Sequence, residues 1–222
     1  MNAPFEDAAR LSAFPGGYAL AYGSHATATH RAGSDLDLLY TGRAPLTAER
    51  LADLVERVKQ LHRRHGLDLD DEVPYETKLY TTLHQAEQAA DGEGFTSGEG
   101  TPATVRETAF LTTDSFRLRL VFNALTTPNV FLAGNPAAYR RHTARAERTA
   151  ARLAHTLHEA EKVSVSQAAE VLLHAPDGRT GKDYLGYLCP AHLYAVLARG
   201  FADLVARGSY KVTAAGEFQP AR

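Results

Sequence analysis

The sequence predicts an α/β (α+β) fold in which a small mixed sheet, covered by helices on one side, is followed by a helical domain. Three features lead to it. Two short strand-like segments, 18–22 and 34–40, stand close together near the start of the chain. A helix with regular apolar spacing follows them between residues 47 and 66. Beyond a glycine-rich break at 91–102, helical spacing dominates. At 222 residues the chain is long enough for two modest domains, each with its own core. The break places them at 1–103 and 104–222.

Residues 4–13 read as a short helix, and Pro15-Gly16-Gly17 turns the chain into the run Tyr18-Ala19-Leu20-Ala21-Tyr22. That strand stops at Gly23-Ser24. The second strand, Ser34 to Tyr40, alternates carboxylate and leucine, so Asp35 and Asp37 share one face while Leu36 and Leu38 point into a core. Thr47 caps the next helix, whose buried stripe is Leu51, Leu54, Val55, Val58 and Leu61, and Gly66 ends it. Arg63, Arg64 and His65 complement the helix dipole there. Leu67-Asp68-Leu69-Asp70 alternates again and is expected as a strand, and Glu76 with Lys78 is expected as an exposed ion pair.

In the second half, Thr113 or Asp114 caps a helix through Phe116, Leu118, Leu120, Val121 and Leu125, with Arg117 and Arg119 on its flank. A short apolar run, Val130-Phe131-Leu132, leads to Gly134-Asn135-Pro136, which opens a long helix from about Ala137 to Lys162. Arg141, Arg145, Arg148 and Arg152 form a basic stripe on it, expected as a solvated face. A short helix at 165–174, a glycine-rich loop at 177–184 and a final helix from Ala191 to Arg207 complete the domain. The tail from Gly208 is expected as a frayed or edge segment.

The chemistry concentrates between the first two strands. Two carboxylates on one face repel each other unless a cation sits with them. Their hard oxygens suit magnesium, which is usually held by one or two carboxylates together with substrate phosphates. Gly23 allows the backbone to approach a phosphate closely, and the Ser24 amide and hydroxyl can donate to it.

Gly23-Ser24, a spacer of ten residues, and Asp35-Leu36-Asp37 with apolar flanks resemble the signature of the DNA polymerase beta-like nucleotidyltransferase superfamily. Motif support covers about the first 80 residues. Many small members carry an arginine and a glycine soon after the serine, whereas this chain has His25-Ala26-Thr27-Ala28-Thr29-His30-Arg31. The resemblance implies two magnesium ions on Asp35 and Asp37, with Gly23, Ser24 and Ser34 at the nucleotide. It also implies a third carboxylate on the strand after the helix, acting on the acceptor by accepting a hydroxyl proton or by holding the second metal. Asp70 is the first choice for it and Asp68 the alternative. In two-domain relatives, such as the antibiotic-modifying nucleotidyltransferases, lysines and tyrosines of the helical domain contact the nucleotide, and Lys182 and Tyr184 are the matching candidates here.

The expected reaction is therefore transfer of a nucleoside monophosphate, AMP on family grounds, from an NTP to a hydroxyl of a small-molecule acceptor. Modification of a protein side chain, as in toxin–antitoxin systems, is one alternative; a non-catalytic nucleotide-binding regulator is another. The formal charge of −2 is divided unevenly, with 16 acidic and 9 basic residues through Ala103 against 10 and 15 beyond it. Lys and Arg are not massed in blocks, so bulk nucleic-acid binding is not expected. The single Cys189 fits a reducing compartment, and neither a signal peptide nor a membrane-spanning apolar run is visible, so a cytoplasmic protein is expected. One cysteine and scattered histidines give no zinc constellation.

Overall fold

The computed structural model describes residues 3–11, 14–69, 74–93, 113–161, 205–212 and 218–221. Strands β1 (Tyr18–Tyr22), β2 (Asp37–Gly42), β3 (Tyr80–Thr82) and β4 (Val130–Gly134) form one mixed sheet in the order β3-β2-β1-β4. β1 and β2 run antiparallel, with Tyr22 opposite Asp37 and Ala19 opposite Tyr40. β3 lies parallel to β2, with Tyr80 beside Tyr40. A parallel neighbour requires a crossover, and helix α3 (Ala48–His65) supplies most of it.

The predicted α/β (α+β) class is what the structure has, and the local signals explain its first half. The Thr47 side chain accepts the Arg50 amide at the start of α3, and Gly66 closes the helix in the left-handed conformation, as a helix-terminating glycine does. Leu54, Val55, Val58 and Leu61 of α3 join Phe5 and Ala8 of helix α1 (Ala3–Arg10) in one core over Ala19, Ala21, Leu36, Leu38 and Tyr40. The two helices are also tied at their surface, where Asp7 accepts hydrogen bonds from Arg64 and lies 3.0 Å from His65 Nε2. Those contacts, the His65 bond first, hold the Asp7 carboxyl below the usual carboxylate range.

Three segments differ from expectation. Leu67–Leu69 is not a strand. The Asp68 amide instead donates to Gly33 O at 2.6 Å, which spends its hydrogen bond on the loop before β2. The run Val130-Phe131-Leu132, which lies beyond the glycine-rich break, is strand β4 and pairs antiparallel with β1. The tail is an antiparallel ribbon of β5 (Tyr210–Val212) and β6 (Phe218–Pro220).

The chain divides into two compact units. One comprises 1–87 with 127–142, and the other 88–126 with 143–222. The first holds the sheet, and Asn135 opens helix α7 (Pro136–Glu161) there by accepting the amides of Ala137 and Ala138, with Pro136 in the first helical position. In the second unit, helix α6 (Thr113–Thr126) buries Leu120, Val121, Phe122 and Leu125 together with Arg119. Arg119, expected on a flank, is pulled down in pKa by that burial. Arg145 of the predicted basic stripe is paired with Asp91, the last residue of helix α5 (Leu83–Asp91), the solvated-face role expected of the stripe. Among the described residues no helix is long and apolar enough to cross a membrane.

Candidate functional site

The site is built where β1 ends and β2 begins. Gly23 follows the last residue of β1 with φ +72°, a left-handed conformation that a side chain disfavours. A Cβ there would also collide with the Asp37 carboxylate. The glycine thus suits its backbone conformation and also leaves the space that the Asp37 carboxylate takes. It opens the single-turn helix α2 (Gly23–Ala26), where Ser24 is partly exposed.

Between the strands, His25 and His30 organise the spacer. Their rings stack with centroids 4.2 Å apart, and His25 Nε2 lies 3.0 Å from Ser34 O. The Ser34 hydroxyl accepts the Arg31 amide at 2.9 Å, so this side chain shapes the turn. Arg31 itself is exposed.

Leu36, between the two carboxylates, is buried with Leu38 and Tyr40. The predicted alternation holds in burial, although β2 begins only at Asp37 and Asp35 lies in the segment before it rather than on the strand expected from Ser34. Asp35 and Asp37 turn away from that core with side chains 32% and 22% exposed. The backbone between them is pinned from below. His62, fully buried at the end of α3, accepts the Leu36 amide through Nε2 at 3.0 Å. Its Nδ1 lies 2.9 Å from Val58 O, so the tautomer that satisfies both partners is neutral and carries its proton on Nδ1. Burial lowers the His62 pKa from its ordinary value, which favours that neutral form.

A cation faces the pair. Lys78 Nζ lies 3.6 Å from Asp37 Oδ1 and 3.9 Å from Asp35 Oδ2, and the lysine side chain is only 5% exposed. Its ammonium also sits 5.1 Å from the centre of the Tyr75 ring. Lys78 ends the short helix α4 (Tyr75–Lys78), separated from β3 by one residue. The exposed Glu76–Lys78 pair expected from the sequence is corrected here: Glu76 is exposed, while Lys78 is buried against the carboxylates. The parallel β2–β3 register, fixed by the Tyr40 amide donating to Leu79 O at 2.9 Å, carries Lys78 to that place.

The structure thus brings together Gly23, Asp35 and Asp37 and adds Lys78, His62 and Tyr75, which the sequence did not single out for this site. His62 had a signal, because it falls four residues after Val58 on the apolar stripe of α3. Asp68 is exposed and packs its carboxylate beside Gly33. Asp70, Lys182 and Tyr184 lie outside the described residues, as do Cys189, the helix expected at 165–174 and the loop expected at 177–184.

Two carboxylates converging on one ammonium show that the pair is shaped to hold positive charge, and their oxygens are of the hard type that magnesium accepts. Asp35 and Asp37 therefore fit a divalent cation. Among the described residues no group of three or more His, Cys, Asp or Glu side chains is assembled for a metal. No family model, curated protein or solved structure matches the chain.

Proposed function

We propose that the protein is a magnesium-dependent nucleotidyltransferase that transfers a nucleoside monophosphate, AMP on family grounds, from an NTP to a hydroxyl of a small-molecule acceptor. The acceptor oxygen forms a bond to the α-phosphorus, the bond from that phosphorus to the bridging oxygen breaks, and pyrophosphate leaves with the electron pair. The observation that supports this is local: a glycine whose left-handed turn lies directly under one of two partly exposed carboxylates, with both directed at one cation.

Asp35 and Asp37 would hold magnesium, which when bound neutralises triphosphate charge and activates an oxygen nucleophile. Gly23 borders Asp37, and Gly23 and Ser24 would approach the phosphates. His62 fixes the backbone between the carboxylates, and positioning of this kind supplies much of the catalysis in phosphoryl-type transfers. On the resemblance alone, the acceptor proton would go to Asp70, with Asp68 as the alternative.

Calorimetric titration of each NTP with magnesium, and again with EDTA, tests the assignment in the wild type and in Asp37→Asn. Metal-dependent binding that the variant loses is the expected result. Equal binding by the variant, or binding of no NTP by the wild type, overturns it. Pyrophosphate release in an acceptor screen then separates an enzyme from a nucleotide-binding regulator. Intact-protein mass spectrometry separates a protein acceptor from a small one.

A further inference from the structure

A buried ammonium is costly unless paired, and so is a pair of adjacent carboxylates. Lys78 resolves both costs in one contact, since its Nζ lies within 4 Å of an oxygen on each of Asp35 and Asp37. The contact is built into the fold. The β2–β3 register sets the position of Lys78, the Tyr75 ring lies against its ammonium, and its side chain is nearly excluded from solvent. The carboxylates, by contrast, remain partly open to solvent. The pair therefore has a closed side, which belongs to lysine, and an open side.

We propose that Lys78 is the resident counter-cation of the Asp35–Asp37 pair, and that a divalent ion enters from the open side in competition with it. With Lys78 counted, the three side chains present less negative charge to an incoming metal than the two carboxylates would alone. The metal half of this inference rests on the nucleotidyltransferase reading above. The electrostatic half does not.

Two measurements on the full chain decide it. The first uses Mn2+ as the probe and counts free ion by electron paramagnetic resonance. Lys78→Met keeps most of the side-chain length and deletes the charge. It is expected to bind Mn2+ about tenfold more tightly than the wild type, or to take up a second ion, because a positive charge some 4 Å from the carboxylates has been removed. Unchanged affinity and stoichiometry overturn the competition.

The second measurement contains no metal. The thermal midpoints of wild type, Lys78→Met, Asp35→Asn and the double variant form a cycle. Lys78→Met is expected to lower the midpoint, and adding Asp35→Asn is expected to recover part of the loss. Additive effects overturn the counter-cation role. If Lys78→Met does not fold alone, the comparison is between the double variant and Asp35→Asn, and a double variant that also fails to fold overturns it equally. Mn2+ bound equally by wild type and Asp37→Asn refutes the metal reading of the pair, while the thermal cycle still judges Lys78.

Discussion

Gly23 and Asp37 illustrate how one residue can limit another across two strands. The glycine occupies a left-handed turn, and the space its missing side chain leaves is taken by the Asp37 carboxylate. Gly23→Ala is expected to cost about 1–3 kcal/mol, from the positive φ and the forced movement of Asp37. It should also weaken Mn2+ binding. Urea denaturation and the Mn2+ titration check both, and wild-type values in each would contradict the geometry. Asp35→Asn and Asp37→Asn should each abolish turnover yet leave a folded protein, because Lys78 keeps one carboxylate partner in either variant. Circular dichroism and pyrophosphate assays on the two variants provide the comparison, and full activity in either would contradict the assignment.

At the scale of elements, α3 does more than cover the sheet. Through His62 it reaches the amide of Leu36 and fixes the segment that enters β2. The His62 pKa is lowered chiefly by burial; the Val58 carbonyl and Asp35 oppose the shift, and Lys78 adds to it. Tyr75 packs edge-on against the same ring. A histidine whose folded pKa lies below its unfolded value of about 6.5 contributes stability above that pH. The contribution is lost as pH falls from there through the folded pKa, since the unfolded chain then binds more protons. Denaturation at pH 7.5 and 5.5 should show the wild type losing stability on acidification. His62→Phe should lose less, while starting about 1–3 kcal/mol lower because the buried Leu36 amide has no acceptor. An identical pH dependence in the two proteins would place the acid sensitivity elsewhere.

For the molecule as a whole, the sheet is closed by a strand from the far side of the glycine-rich break. β4 covers the outer edge of β1, and the opening turns of α7 place His142 Nδ1 3.0 Å from the Tyr18 hydroxyl. Burial raises the Tyr18 pKa well above its ordinary value, so that hydroxyl stays protonated throughout the physiological range. A chain ending at Ala103 would lose both features and expose the backbone of β1, a fully buried strand. It is expected to melt without a cooperative transition, or to aggregate, whereas a chain in which 127–142 is retained by fusion should recover cooperativity. Circular dichroism melts of the two distinguish them. A cooperative melt from the shorter chain would show that β4 is dispensable.

Elements that depend on local chemistry were legible in the residues alone. Thr47 and Gly66 bound α3, and the alternation from Asp35 to Tyr40 separates carboxylate from core. Asn135-Pro136 starts α7. These follow from capping, backbone conformation and periodicity, which act over a few residues. The tertiary structure decided everything that depends on partners distant in the chain. Leu67–Leu69 alternates like a strand, yet the Asp68 amide is taken by Gly33 and β3 lies beside β2 instead. Val130-Phe131-Leu132 is too short to declare a strand until β1 offers it an edge. Lys78 reads as a surface lysine until the parallel register sets it against Asp35 and Asp37. Periodicity tells which way a side chain faces, but the charge it meets depends on which strand becomes its neighbour. That choice is made by the packing of the whole sheet.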